Sequence, residues 1–237
     1  MVSIIIPAHN ERENLENLLP KLLFDAKNRQ IEVIVVLSNT NSDLSEHIDF
    51  GDRVRIIKSS VKGRAAQMNF GECYANSNTL AFLHADVLPP DEFIADIEKT
   101  LMDNYDAGFF SYRFDTENWL LKVNASFTAK DGIFTGGGDQ CLFIKKNVFN
   151  DLGRFDEKQV LMEDFEFFER MKKERIPYKI INNDLIVSAR KYNHNSYLRV
   201  NLSNLLLVIL FKFGYPPEKL KILHNKLLKT PCQKTLN

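Results

Sequence analysis

Apolar residues follow two rhythms along this chain. Val2-Ser3-Ile4-Ile5-Ile6 is a nearly continuous, isoleucine-rich run stopped by Pro7, which predicts a strand buried on both faces. Leu15, Leu18, Leu19, Leu22 and Leu23 then recur three and four apart, as one face of a helix. Asn10 with Glu13 reads as the cap and capping box of that helix, and Pro20 inside it predicts a kink or a restart. Residues 31–37 and 53–58 repeat the strand rhythm. A polar turn at 38–43 follows the first, and a helix over 64–77, entered through Gly63, follows the second. Leu80-Ala81-Phe82-Leu83 is a fourth strand, and it runs into His84-Ala85-Asp86, Val87-Leu88 and the paired Pro89-Pro90.

Strands alternating with helices imply an α/β fold with a parallel sheet, whose ligand edge lies at the carboxyl ends of the strands. Residues 7–10, 38–43 and 84–86 should therefore converge. After a helix over 91–103 the pattern changes. Residues 106–114 read as a strand, and 117–130 as a helix with Trp119, Leu120, Val123 and Phe127 inward. Residues 136–146 read as a glycine turn entering a strand. A short helix follows Asn147, another opens at Glu163-Asp164, and 179–192 holds the last strand and its exit. The tail from Asn193 is helical and broken at 214–217. The expected organisation is a domain over 1–192, with halves 1–105 and 106–192, and a helical extension over 193–237 packed on it.

Composition narrows the class without changing this outline. A chain of 237 residues with 44% hydrophobic content can bury a full α/β core. Its 31 basic residues balance 31 acidic ones, so no net field recruits nucleic acid or an anionic membrane. Cys73, Cys141 and Cys232 form no CxxC pair, which points away from zinc and disulfides and towards a reducing cytoplasm. The most apolar stretch, 204–214, is about half the length a membrane-spanning helix needs. Packing on the domain, a homodimer contact and a peripheral bilayer contact all suit it.

Candidate chemistry gathers at the expected ligand edge. Side chains alternate along a strand, so His84 and Asp86 should point the same way. A carboxylate held there suits Mg2+ or Mn2+ bridging phosphate oxygens; taken alone, the tripeptide is better explained by a turn-capping aspartate and a core histidine. Glu163-Asp164 at a helix start gains about 0.3–1 kcal/mol from the helix dipole whatever else it does. The glycines before Asp139 allow close backbone approach or a positive φ.

The order of "SIIIPAHNERENL", "EVIVV" with its polar turn, "GRAAQMNFG", "LAFLHAD", "GGDQCLFIKK" and "LMEDFEFFERM" resembles family-2 glycosyltransferases of the GT-A fold. That fold is Rossmann-like, with a mostly parallel central sheet flanked by helices, here followed by a helical C-terminal tail. The motifs look closest to the radical-SAM/selenodomain-associated glycosyltransferase-like subgroup, and the resemblance covers roughly residues 2–225.

The resemblance implies an inverting, metal-dependent transfer from a nucleoside-diphosphate sugar, UDP favoured over GDP, to a hydroxyl acceptor that includes lipid-linked ones. It places Asp86 as the metal ligand, with His84 where the family has its first acid, and Ala85 between them. Pro7, Ala8 and Glu11 would line the nucleoside, Arg64 and Gln67 would face the donor, and Arg190 and Lys191 would meet the departing phosphates. Gly138, Asp139 and Gln140 would contact sugar or acceptor. Asp164 would be the general base, with Glu163 steering the acceptor. One departure stands out: Leu37 occupies the place of the family's base-contacting acid, and Asp43 aligns with a later aspartate of that turn. A catalytically degenerate GT-A domain acting as a partner-binding module is thus a second reading. A sugar nucleotidyltransferase ranks below it, because no glycine-rich loop follows the first strand.

Overall fold

The computed structural model of the chain describes residues 1–26, 29–132 and 135–228. Residues 229–237, with Cys232 and the end of the expected extension, lie outside them. In chain order the first half is β1 (Val2–Ala8), α1 (Arg12–Asp25), β2 (Ile31–Leu37), β3 (Val54–Lys58), α2 (Arg64–Cys73), β4 (Thr79–Phe82), β5 (Val87–Leu88) and α3 (Phe93–Met102). The second is β6 (Ala107–Phe114), α4 (Trp119–Ser126), β7 (Leu142–Lys145), α5 (Lys146–Asp151), α6 (Glu163–Lys173), β8 (Tyr178–Val187), α7 (Arg190–Asn193), α8 (Tyr197–Lys212) and α9 (Pro217–Leu227).

The strands form one eight-stranded sheet in the order β3-β2-β1-β4-β7-β6-β8-β5. β1, β2, β3 and β4 pair in parallel, as the strand-helix alternation predicts. β7 then inserts antiparallel between β4 and β6, while β6 and β8 are parallel. Because Phe82 at the exit of β4 pairs with Leu142 at the entrance of β7, the reversal sets the glycine turn before β7 beside the residues after β4.

β1 is buried throughout, and two apolar cores lie on the sheet. One core takes Ile4, Ile6 and the α1 leucines; the other takes Ile5, Val36, Met68, Phe149 of α5 and Phe167 and Phe168 of α6. Burial of each such side chain stabilises the fold by about 1.5–3 kcal/mol before conformational entropy is counted. Gly71 of α2 must lack a side chain, since a Cβ there would lie 2.6 Å from Ile5 Cγ2.

Several local expectations give way to longer-range contacts. Asn10 does not cap α1. It adopts a left-handed φ of 55°, and its Oδ1 accepts from the Ser42 amide at 2.8 Å. The first turn of α1 is satisfied by Asp43, whose Oδ2 accepts from the Arg12 amide at 2.7 Å. α1 runs unbroken through Pro20, with no restart. α2 ends at Cys73 rather than 77. The 117–130 helix is eight residues of α4 followed by a 3-10 turn over 127–129, and it buries Leu121 and Ala125. Trp119, Val123 and Phe127, expected inward, are exposed. The strand before the histidine ends at Phe82, so residues 84–86 lie in a turn where strand alternation no longer applies.

Candidate active site

The carboxyl ends of β1, β2 and β4 meet as expected. Ser38 donates its amide to Ala8 O at 2.9 Å, and His9 Nδ1 lies 2.6 Å from Ser38 Oγ. The Asn10 amide donates to Asn41 Oδ1 at 2.8 Å. Asp43 organises this edge, accepting from the Arg12 amide, Asn41 Nδ2 and both the amide and hydroxyl of Ser45. Burial presses its pKa up, but these hydrogen bonds outweigh it and hold the carboxyl below its ordinary value. Asp43 is a positioning residue for the loop, with its oxygens already engaged.

Gln67 is similar. It is buried, and its amide nitrogen donates to Ala8 O at 3.0 Å and Val36 O at 2.7 Å, tying the ends of β1 and β2 together. Gln140 is buried too: its Oε1 accepts from the Gly136 amide at 3.0 Å, and its Nε2 donates to Thr128 O at 3.2 Å and Phe110 O at 3.4 Å. Both glutamines, expected to touch ligand, commit these side-chain atoms to backbone groups of neighbouring segments.

His84 and Asp86 serve different clusters. Asp86 Oδ2 accepts from Arg190 Nη2 at 3.0 Å, and the same nitrogen reaches Glu11 Oε1 at 3.4 Å. One guanidinium from α7 thus joins the loops after β1 and β4. Ala85 between them is buried. His84 turns the other way, with Nδ1 3.6 Å from Asp139 Oδ1 and Nε2 3.4 Å from Arg64 Nη1. Lys191 Nζ is 3.9 Å from the other oxygen of Asp139.

Glu163 and Asp164 open α6 after Met162, which holds a left-handed φ of 67°. Glu163 is buried and hydrogen-bonds Arg64 Nε. Gly138 faces both His84 and Asp164: a Cβ there would stand 2.3 Å from His84 Cε1 and 2.5 Å from Asp164 Oδ2. His84 and Asp164 therefore pack directly against the Gly138 backbone, an approach that any side chain there would block.

Five charged or titratable groups share this pocket, and their protonation preferences diverge. Burial and the adjacent Glu163 push Asp164 up to about 6, against the opposing pull of Arg64. Burial would raise Glu163 as well, but the Arg64 guanidinium outweighs it and holds Glu163 below its ordinary value. Crowding raises Asp139, yet His84 and Lys191 hold it well below the usual carboxylate range. Burial and Arg64 press His84 down, and the carboxylates of Asp139 and Asp164 reverse that, leaving its pKa raised.

The sequence reading missed Tyr112 and Tyr192. Burial raises both, Tyr192 to about 12, and Asp139 contributes to each. The available signal was a tyrosine between Ser111 and Arg113 in β6 and another beside the Arg190-Lys191 pair.

The glycosyl transferase family 2 model matches residues 3–170. An uncharacterized glycosyltransferase of Synechocystis is 30% identical over 137 residues, which is 54% of this chain and 42% of that protein. This chain therefore spans less than half of that relative. The undecaprenyl-phosphate 4-deoxy-4-formamido-L-arabinose transferase of Proteus mirabilis is 22% identical over 92% of this chain and 69% of its own length. A mannosyltransferase of Pyrobaculum calidifontis, solved with GDP-Man and Mn2+, superposes with a TM-score of 0.65 at 19% identity, over 95% of this chain and 68% of that one. That likeness shows a common fold. With a mixed α/β sheet flanked by helices and a family match across more than two thirds of its length, the chain belongs to glycosyl transferase family 2.

Proposed function

We propose that the chain transfers a sugar from a nucleoside-diphosphate sugar to an acceptor hydroxyl, inverting the anomeric carbon in a single displacement. The observation that carries this reading is the family match over residues 3–170, within which the adjacent acids Glu163-Asp164 open one helix, Asp164 pushed up to about 6 and Glu163 held down. Divergent neighbours of this kind mark acid-base assignments. Asp164 is the general base, ionised above its pKa and held at the start of α6 against Gly138 and close to His84. The acceptor oxygen forms its bond to the anomeric carbon as its proton passes to Asp164. The bond to the diphosphate breaks, and its electron pair leaves on the nucleotide. Arg64 and Glu163 hold His84 and Asp164 in place, Asp139 meets the sugar or acceptor, and Glu11 with the backbone at Pro7 and Ala8 lines the nucleoside. Arg190 and Lys191 meet the phosphate charge.

Among the described residues no group of three or more His, Cys, Asp or Glu side chains is arranged to hold a metal. Asp86, paired with Arg190 in this structure, fits a hard cation if that guanidinium turns to the phosphates, because Mg2+ and Mn2+ commonly take one or two protein carboxylates and complete their shells with phosphate oxygens and water. Bound at Asp86, such a cation would neutralise diphosphate charge. His84 does not belong to that donor set, being engaged with Asp139 and Arg64. The GDP-Man and Mn2+ complex of the Pyrobaculum mannosyltransferase supports the cation and the donor class. The order of motifs supports the finer placement in the radical-SAM/selenodomain-associated subgroup.

The test combines a thermal-shift panel of UDP and GDP, with and without Mn2+, with transfer assays. Asp164→Asn should keep nucleotide binding and lose about 10²–10⁴-fold in transfer. Asp86→Ala should lose the Mn2+-dependent part of the nucleotide shift. Full transfer by Asp164→Asn would overturn the assignment of the base.

A further inference from the structure

α8 is apolar on both sides. Val200, Leu207 and Val208 pack inward, yet Leu198, Leu202, Leu206, Ile209 and Phe213 form a second stripe, spaced three to four apart, facing outward. Leu198 and Leu202 are 67% and 64% exposed, and Phe213 is 85% exposed. A second apolar stripe on a helix that already packs through its first is a surface suited to another apolar medium.

The stripe does not stand alone. Asn124 Nδ2 of α4 donates to Asn201 Oδ1 of α8 at 2.9 Å, so the two helices meet at that point. The face of α4 carrying Trp119, Val123 and Phe127 is exposed as well. Aromatic and aliphatic side chains on adjoining helices are the composition of an interfacial contact.

Charge identifies the medium. From residue 188 to 217 the chain has no acidic side chain. Of the 31 basic and 31 acidic residues, nine and one fall within residues 188–237. That leaves 22 and 30 before them, so a chain of zero net charge divides into a basic end of +8 and a remainder of −8. Lys212, Lys219, Lys221 and Lys226 are exposed on α8 and α9. A second copy docking through the same face would oppose two basic surfaces, as two-fold interfaces pair a patch with itself. Residues 229–237, KTPCQKTLN, hold a single leucine and no apolar run to cover the stripe. No described helix is long and apolar enough to cross a membrane, so the contact lies along a surface.

We propose that the outer face of α8, with α4 beside it and the lysines around it, docks on an anionic phospholipid bilayer. This is independent of the glycosyl-transfer reading, because the test needs no substrate. The full chain is floated with phosphatidylcholine vesicles, with and without phosphatidylglycerol. Binding should be at least about tenfold greater with the anionic lipid and should weaken as NaCl is raised. Leu202→Asp with Phe213→Asp, at exposed positions, should keep the melting temperature and lose binding about tenfold or more. Lys219→Glu with Lys221→Glu and Lys226→Glu should remove the preference for anionic lipid. Equal binding to both vesicles, or binding to neither, would overturn the proposal. So would a dimer in sedimentation that the Leu202/Phe213 variant dissolves, which would assign the face to a second copy.

Discussion

Glu163 and Asp164 share one helical turn, and a single guanidinium separates their behaviour. Arg64 bonds Glu163 directly, and the resulting fixed anion raises Asp164 in turn. Glu163→Gln removes that anion and frees Arg64 to act on Asp164, so the acid limb of the pH-rate profile should move to lower pH. An unmoved limb would show that Glu163 does not set the base. The sign for stability is opposite to that for rate. Asp164 is raised from 3.8 to about 6 in the fold, so its favourable contribution is complete below the unfolded pKa and lost as pH rises through about 6. Asp164→Asn should therefore raise the melting temperature at neutral pH while cutting turnover about 10²–10⁴-fold. These acids were legible in the sequence because charged residues at strand exits and helix starts are conspicuous. Gln67 and Gln140 were not, because their partners are backbone groups brought near by the fold: Ala8 and Val36 for one, Gly136, Thr128 and Phe110 for the other.

α1 shows how an element can depend on a residue outside it. Its leucine face was readable from spacing alone, but its cap was not. The local candidate, Asn10, is occupied by Ser42, and Asp43 reaches across 31 positions to the Arg12 amide. Asp43→Ala should cost about 0.5–2 kcal/mol, as loss of a helix cap does. It should also release the 38–45 loop, since the same carboxylate holds Asn41 and Ser45. Amide exchange at Arg12 would report both together; slow exchange retained there in the variant would refute the coupling. α4 misled for another reason. Both of its faces carry apolar residues, and eight residues give periodicity too little length to choose between Leu121 with Ala125 and Trp119 with Val123.

At the scale of the molecule the parallel strands β1 to β4 were legible from their alternation with helices. Strand direction in the second half was not, because an apolar run such as Leu142–Lys145 reads the same either way. The resulting order interlocks the halves. β7, from the second, lies against β4, while β5, from the first, pairs with β8 at the far edge. Neither segment on one side of residue 105 owns a complete sheet. The chain should therefore melt in one cooperative transition followed identically by every probe. Fragments cut between 105 and 106 should stay unfolded apart and regain structure only when mixed. Splitting the gene there would make a complementation pair rather than two working modules.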